Sequence, residues 1–248
     1  MLPVNDAPPE LSVVLPAYRE ADSLRKMLPV LNEVARSLTS RYEIIVIDAE
    51  QPLDDTPAIC RDAGAACVPR RGGAAYGHAI RTALAVAQGR HVIFMDADGS
   101  HNPRFLPQLW AERERADLVI ASRYVRGGKT ENPAVLIFLS LMVNVVFRLV
   151  LGLKCYDVSN SLRLYRGDAL RGLQLKCDNF DIIEEILIKL SYSQPGYRIK
   201  EVPFTFERRK AGTTKRRLLA FAIGYVATLL RLFRLKRQTR KQGPRSKP

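Results

Sequence analysis

The sequence predicts an α/β protein built on a mostly parallel sheet with helices on its faces. Short apolar runs, typical of strands buried on both sides, alternate with segments whose apolar residues recur at helical spacing. Several runs end in proline or acidic residues, as expected where parallel strands deliver polar groups to one edge. With 248 residues, 47% of them hydrophobic, the chain is long enough for one large core and an appendage.

The first two strands are predicted from apolar runs near the N-terminus. Residues 11–15 are almost entirely apolar and end at Pro16, and a helix follows, because four apolar residues recur at helical spacing: Leu24, Met27, Leu28 and Leu31. Residues 43–48 form the second strand, which ends in the carboxylate of Asp48. Both strands therefore place polar groups at the same edge of the sheet.

A short third strand leads into a glycine-rich segment. Residues 54–57 begin a helix toward Cys60, and residues 64–69 form the strand. Residues 71–81 then open a helix that runs through Ala87, and their backbone N–H groups are suited to approach a phosphate. The segment matches neither the Walker nor the dinucleotide-binding pattern, and close helix packing explains its glycines equally well.

The next predicted strand ends in two carboxylates. Residues 92–95 are apolar, and Asp96, Asp98 and Gly99 follow. Two carboxylates one residue apart, with no basic partner nearby in sequence, repel each other unless a cation lies between them. Such oxygen ligands suit Mg²⁺ or Mn²⁺, which in turn bind nucleotide diphosphates, so we predict a Mg²⁺ or Mn²⁺ site here. The nearby His101 is interpreted as structural or exposed and not as catalytic.

One further strand completes the predicted alternation. Asn102 and Pro103 open a helix, and residues 117–121 form a strand that ends in Ser122-Arg123-Tyr124. Strands and helices that alternate at such short intervals predict parallel strands joined by right-handed crossovers.

Charge is distributed unevenly along the chain. Residues 1–207 contain 25 Lys+Arg and 25 Asp+Glu, whereas residues 208–248 contain 14 Lys+Arg and no acid, which accounts for the net charge of +14. A charge-balanced body argues against a nucleic-acid-binding protein, and the basic end fits an anionic membrane surface. Four cysteines without C-x-x-C spacing argue against zinc and favour a reducing compartment, and no signal peptide is predicted at the N-terminus.

A set of motifs follows in order along residues 11–216: Pro16-Ala17-Tyr18-x-Glu20, Ile47-Asp48, Asp96-Ala97-Asp98, Ser122-Arg123-Tyr124 with Gly127-Gly128, the run 157–165, Phe180-Asp181 with Glu184-Glu185, Glu201-Val202-Pro203, and Arg209-x-x-Gly212-x-Thr214-Lys215. Together they resemble the family-two inverting glycosyltransferases of GT-A fold, and most of all the polyprenyl-phosphate (dolichol-phosphate) mannose synthase branch. The resemblance implies metal-dependent transfer of a hexose, mannose by first expectation, from a GDP- or UDP-sugar to a polyprenyl phosphate.

The same resemblance implies the roles of individual residues. The implied contacts are, for the nucleoside, Pro16, Tyr18, Glu20, Ile47 and Asp48; for the metal, diphosphate and sugar nucleotide, Asp96, Ala97 and Asp98; and for the donor and acceptor phosphates, Arg123, Arg209 and Lys215. Asp98, Arg123 and Arg209 are the expected catalytic residues, and Arg71 of the glycine-rich segment is added to the donor-binding set. The chain departs from the family pattern at Ser100, where glutamine is usual, and at Ala49, where a second carboxylate is usual.

The predicted acceptor decides whether a general base is needed. A phosphate acceptor is already an anion, so cations suffice to position it. A saccharide or other soluble acceptor would need a base, for which Asp157, Asp181 and Glu184 are the candidates. Glu184 and Glu185 are equally suited to order the acceptor site, to cap a helix or to lie on the surface.

A nucleotidyltransferase that makes the activated sugar would need a glycine-rich loop with Arg and Lys directly after the first strand. Residues 16–20 stand at that position and do not form such a loop, which argues against this class.

Two segments are predicted to contact a membrane. The apolar run at residues 134–146, resumed after Arg148, is too interrupted and short to span a bilayer comfortably and is predicted to form an interfacial helix over 133–153. Residues 217–248 are predicted to form an amphipathic helix and a basic tail, with a core helix and a disordered tail as the alternative. We therefore expect a lead at 1–10, a glycosyltransferase domain at 11–216, and a peripheral enzyme at the cytoplasmic membrane face, with a separate membrane-anchoring protein as a further candidate partner.

Overall fold

The computed structural model describes residues 7–193, 196–206 and 218–242. Its strands are β1 (Leu11–Pro16), β2 (Tyr42–Asp48), β3 (Ala66–Pro69), β4 (His91–Phe94), β5 (Leu118–Ser122), β6 (Lys129–Thr130), β7 (Arg163–Arg166), β8 (Ile199–Pro203) and β9 (Thr205–Phe206). Seven of them form one sheet in the order β3-β2-β1-β4-β7-β5-β8, and β6 pairs with β9 separately.

Helices cover both faces of the large sheet. They are α1 (Ala21–Leu38), α2 (Thr56–Asp62), α3 (Tyr76–Val86), α4 (Leu106–Ala111), α5 (Ala134–Leu151), α6 (Gly167–Arg171), α7 (Ile182–Ser193) and α8 (Leu218–Gln242). One apolar core lies between the sheet and α1, α2 and α4, and a second lies between the sheet and α3, α5, α6, α7 and α8. The predicted α/β class with a mostly parallel sheet is confirmed.

Among the described strands of the large sheet, β7 alone runs antiparallel to its neighbours. It lies between β4 and β5, with Leu164 opposite Ile93 on one side and Val119 on the other. Its neighbours β4 and β5 therefore do not pair with each other, although they follow one another in the predicted strand order. All other pairings in this sheet are parallel, so β1, β2 and β4 end at the same edge.

The apolar run at residues 134–151 forms one continuous helix, α5, in spite of Ser140, Asn144 and Arg148. Among the described residues it alone is long and apolar enough to cross a membrane, a criterion of length and composition only; its mean hydropathy is 2.5 and 22% of it is buried. Helix α5 lies within the range 133–153 predicted from the sequence, and its interfacial role stays a prediction. Helix α8 (Leu218–Gln242) lies within residues 217–248, where a C-terminal helix was predicted, and the basic tail stays a prediction.

Candidate active site

A cleft opens at the carboxyl edge of the sheet, where β1 and β4 end and α3 begins. Its volume is about 290 Å³, and its walls are formed by Pro16, Ala17, Tyr18, Glu20, Arg70, Ala74, Tyr76, Asp96, Ala97, Asp98 and Phe180. The cleft thus brings together six of the residues predicted to bind the sugar nucleotide and the metal: Pro16, Tyr18, Glu20, Asp96, Ala97 and Asp98. The parallel pairing of β1 and β4 explains why these residues lie together, because neighbouring parallel strands end at the same edge of the sheet.

Asp96 is held by groups from three parts of the chain. Its Oδ2 accepts a hydrogen bond of 2.8 Å from the Ser161 hydroxyl, and the Tyr76 hydroxyl lies 3.5 Å from its Oδ1. Its backbone N–H donates to Nδ1 of buried His101 at 3.0 Å, so the neutral ring carries its proton on Nε2, 3.9 Å from Oδ2. His101 therefore has a structural place directly behind the carboxylate.

Asp98 is oriented by the residue that departs from the family pattern. The backbone N–H and the hydroxyl of Ser100 both donate to Asp98 Oδ1, at 3.0 and 2.6 Å. Gly99 between them has a φ of +80°, a left-handed conformation that glycine adopts without steric cost. The turn after β4 thus presents the Asp98 carboxylate in a fixed orientation.

The chemistry of these two residues fits a hard divalent cation. Within the part of the chain that the structure describes, no third His, Cys, Asp or Glu joins them in a metal-binding cluster. Mg²⁺ commonly binds through one or two carboxylates and completes its shell with waters and substrate phosphates. Asp96 and Asp98 are therefore suited to hold Mg²⁺ or Mn²⁺ together with a diphosphate.

Arg70 was not among the site residues predicted from the sequence. It connects the loops at the ends of three strands by hydrogen bonds. Its guanidinium donates to the backbone carbonyls of Asp48 (3.1 Å), Ala74 (2.7 Å) and Ala17, and it lies 5.6 Å from the centre of the Tyr18 ring. Arg71, the residue selected from the sequence, is exposed and does not line the cleft. No local pattern separates two consecutive arginines after a strand, so only packing distinguishes them.

Ile47 and Asp48 lie behind the cleft wall and not on it. Both side chains are buried, and both carboxylate oxygens of Asp48 lack a hydrogen-bond partner. Burial raises the pKa of the Asp48 carboxyl, although the nearby backbone N–H of Ala49 and the positive charge of Arg70 oppose the rise. Their contact with a nucleoside stays a prediction.

Arg123 is bound to another part of the protein. Its Nε and terminal nitrogen donate to the two carboxylate oxygens of buried Asp157, both at 2.8 Å, and to Ser159 at 2.9 Å. Arg123 does not line the cleft described above, so its contact with phosphate stays a prediction. Arg209 and Lys215 lie outside the described residues.

None of the three carboxylates considered as general bases lines the cleft. Asp157 is paired with Arg123, Asp181 forms a 2.9 Å ion pair with Arg231 of α8, and Glu184 is buried in α7. Glu185 is fully buried as well, where it accepts backbone hydrogen bonds from Lys176 and Cys177. A surface role for Glu184 and Glu185 is therefore wrong, because both side chains belong to the interior.

Solved structures share this architecture. Glucosyl-3-phosphoglycerate synthase from Mycobacterium tuberculosis, crystallised with Mn²⁺, UDP and phosphoglyceric acid, has a TM-score of 0.69 and 21% identity over 91% of this chain and 78% of its own. A mycobacterial protein gives a TM-score of 0.71 and 22% identity over 90% of this chain and 74% of its own. At this identity the likeness concerns the fold. The mostly parallel sheet flanked by helices is a GT-A-like α/β fold.

Sequence comparison then identifies the family. The chain belongs to glycosyl transferase family 2, whose profile matches residues 12–173. It is 34% identical to the undecaprenyl-phosphate mannosyltransferase of Micrococcus luteus over 82% of this chain and 85% of the relative. It is 30% identical to the dolichol-phosphate mannosyltransferase of Pyrococcus furiosus over 83% of this chain, but spans 59% of that longer protein.

Proposed function

We propose that this glycosyltransferase moves a hexose, mannose in the first instance, from a GDP- or UDP-sugar to a polyprenyl phosphate at the cytoplasmic surface of a membrane, with inversion at the sugar carbon. The observation that carries the proposal is the pair Asp96 and Asp98 in a cleft at the strand ends. A divalent cation bound there would neutralise the diphosphate as it leaves. The dolichol-phosphate and undecaprenyl-phosphate mannosyltransferase relatives support mannose as the sugar and a polyprenyl phosphate as the acceptor.

The state of the carboxylates favours an anionic acceptor. A neutral hydroxyl would have to lose a proton to a base, yet Asp157, Asp181 and Glu184 are paired or buried, and none of them lines the cleft. A phosphate needs only to be positioned. Arg123, Arg209 and Lys215 remain the cations proposed for this task, and release of Arg123 from Asp157 would be part of acceptor binding.

Helix α5 supports a membrane location, because its polar side chains face the protein and its apolar side chains face outward, the reverse of a helix on the surface of a water-soluble protein. Its polar residues face the protein: Ser140 accepts a hydrogen bond from Tyr124 (2.7 Å), and Asn144 accepts one from the backbone of Val158 (2.7 Å). Its apolar residues face outward, with Phe138 66% and Leu149 69% exposed. An outward apolar face beside the basic helix α8 is typical of a helix that lies in a bilayer interface.

The transfer reaction itself tests the proposal. Purified protein is incubated with GDP-mannose or UDP-glucose, with Mg²⁺ or Mn²⁺, and with a short-chain polyprenyl phosphate, and the glycolipid is detected by mass spectrometry. We expect a hexosyl polyprenyl phosphate that is lost when EDTA is added. A parallel reaction supplies 3-phosphoglycerate in place of the lipid. Product in that reaction alone would establish a soluble acceptor, and equal yield with EDTA would remove the metal from the mechanism.

Membrane association gives a second prediction. The double variant Phe138→Glu/Leu149→Glu should partition into vesicles of phosphatidylcholine and phosphatidylglycerol at least about 10-fold less than the wild type, because two apolar side chains no longer enter the lipid. Sedimentation with the vesicles measures the effect. The control is Leu53→Glu, an exposed leucine outside α5, which should partition like the wild type. Unchanged partitioning of the double variant would contradict an interfacial role for α5.

A further inference from the structure

A stacked pair of aromatic rings forms part of the cleft wall beside the carboxylates. The ring of Phe180 lies on that of Tyr76, with centroids 4.4 Å apart and planes inclined by 20°. The hydroxyl of Tyr76 is 3.5 Å from Asp96 Oδ1. Phe180 is nevertheless 56% exposed and lines the cleft, so a large apolar ring in the cleft wall stays uncovered beside acidic groups.

The chain on both sides of Phe180 is firmly attached. The backbone N–H of Gly77 donates to the Asp178 carbonyl at 2.7 Å, and Arg81 donates to the Cys177 carbonyl at 2.7 Å. A Cβ at Gly77 would lie 2.4 Å from that same Cys177 oxygen, so this approach requires glycine. On the other side, Asp181 is paired with Arg231 of α8. The Phe180 ring is thus held in place before any ligand arrives.

The cleft contains a second aromatic group of a different kind. Tyr18 is 50% exposed and lies under the guanidinium of Arg70. A nucleotide sugar likewise contains two ring systems, the base and the hexose, joined by a charged diphosphate. The cleft offers a matching group for each of these parts. Tyr18 offers an aromatic surface, Asp96 and Asp98 offer a metal site for the diphosphate, and Phe180 offers a second aromatic surface.

We propose that Phe180 is a substrate-binding residue whose exposed ring packs against the C–H face of the hexose being transferred, with Tyr76 as its support. This inference rests on the proposed function, because it takes the ligand to be a nucleotide sugar. One face of a pyranose carries mainly C–H groups, and an aromatic ring removes that face from water without competing for its hydroxyls. Phe180 thereby contributes to recognition of the sugar and not of the nucleotide.

Binding measurements separate the two contributions. Titration calorimetry with Mg²⁺ and without acceptor compares GDP-mannose with GDP, and UDP-glucose with UDP, for the wild type and for Phe180→Ala. For the donor pair that the wild type binds, we expect about 10-fold weaker binding of the nucleotide sugar by Phe180→Ala. Binding of the nucleoside diphosphate should change by less than about 2-fold. The conservative variant Phe180→Tyr keeps the ring and should restore sugar-nucleotide binding.

Tyr156→Ala is the matched control, because Tyr156 is also 56% exposed but lies outside the cleft. It should bind both ligands like the wild type, and thermal unfolding should show that every variant is folded. Equal weakening of nucleotide sugar and nucleoside diphosphate by Phe180→Ala, or no weakening of either, would overturn the inference and leave the proposed function intact. Failure of the wild type to bind any nucleotide sugar would overturn the proposed function and the inference with it.

Discussion

Replacement of Asp98 by alanine should lower the rate of sugar transfer by about 1,000-fold while leaving the fold intact. Asp98 would help to hold the divalent cation that neutralises the leaving diphosphate, and the expected loss is that of such a preorganised charge. Asp98 lies in a surface cleft after β4 and not in either apolar core, so stability should change little. Glycolipid formation at saturating donor and Mg²⁺ measures the first effect, and thermal unfolding measures the second.

Asp98→Asn separates the charge from the turn that carries it. An amide oxygen can still accept the two hydrogen bonds from Ser100, so the turn is preserved while the negative charge is lost. We expect this variant to be nearly as inactive as Asp98→Ala. Asp22→Ala, which removes a carboxylate that is 95% exposed on α1, should retain full activity. Transfer by Asp98→Asn at the wild-type rate would show that this carboxylate does not hold the cation.

Glu184→Gln should stabilise the protein at pH 8 but not at pH 4.5. Burial raises the pKa of Glu184 from 4.5 to about 7, although Arg163 opposes the rise. The folded state therefore holds this proton more tightly than the unfolded state, so wild-type stability falls as the pH rises from 4.5 to 7. Above pH 7 the loss reaches up to about 3 kcal/mol, which a neutral glutamine avoids. For a chain of this size the melting temperature should rise by about 6–12 °C.

The adjacent residue Glu185 serves as a control with the opposite sign. Burial alone would raise its pKa, but hydrogen bonds from Lys189, Cys177 and Lys176 outweigh burial and lower it. Glu185→Gln should therefore destabilise the protein at pH 8 by about 1–3 kcal/mol, because a charge-assisted network is broken. Thermal unfolding of both variants at pH 4.5 and pH 8 measures the contrast. Destabilisation by Glu184→Gln at pH 8 would contradict the prediction, because it would mean that the folded protein stabilises the charged form of Glu184, with Arg163 as the nearby cation.

The prediction succeeded where short stretches of sequence carry the information. Strands β1, β2, β4 and β5 were predicted within one or two residues, since each is a short apolar run. It did not identify β7 as a strand, because its sequence, Arg163-Leu-Tyr-Arg166, lacks such a run and its place depends on pairing with both β4 and β5. For the same reason Arg71 was predicted as a site residue in place of Arg70. Arg70 becomes part of the cleft only through its contacts with carbonyls that are distant in sequence.

The sequence by itself determined the α/β class, the family and the delivery of Asp96 and Asp98 to the carboxyl edge of the sheet. Backbone preference and hydrophobic periodicity are properties of neighbouring residues, so the strands and their acidic ends can be predicted from the chain, whereas the family follows from the resemblance of its ordered motifs. Only the tertiary structure decided that Phe180 stacks on Tyr76 in the cleft wall, that Arg123 is bound to Asp157, and that Glu184 is buried. These depend on which distant segments pack together, because packing sets both the partners of a side chain and the polarity of its surroundings.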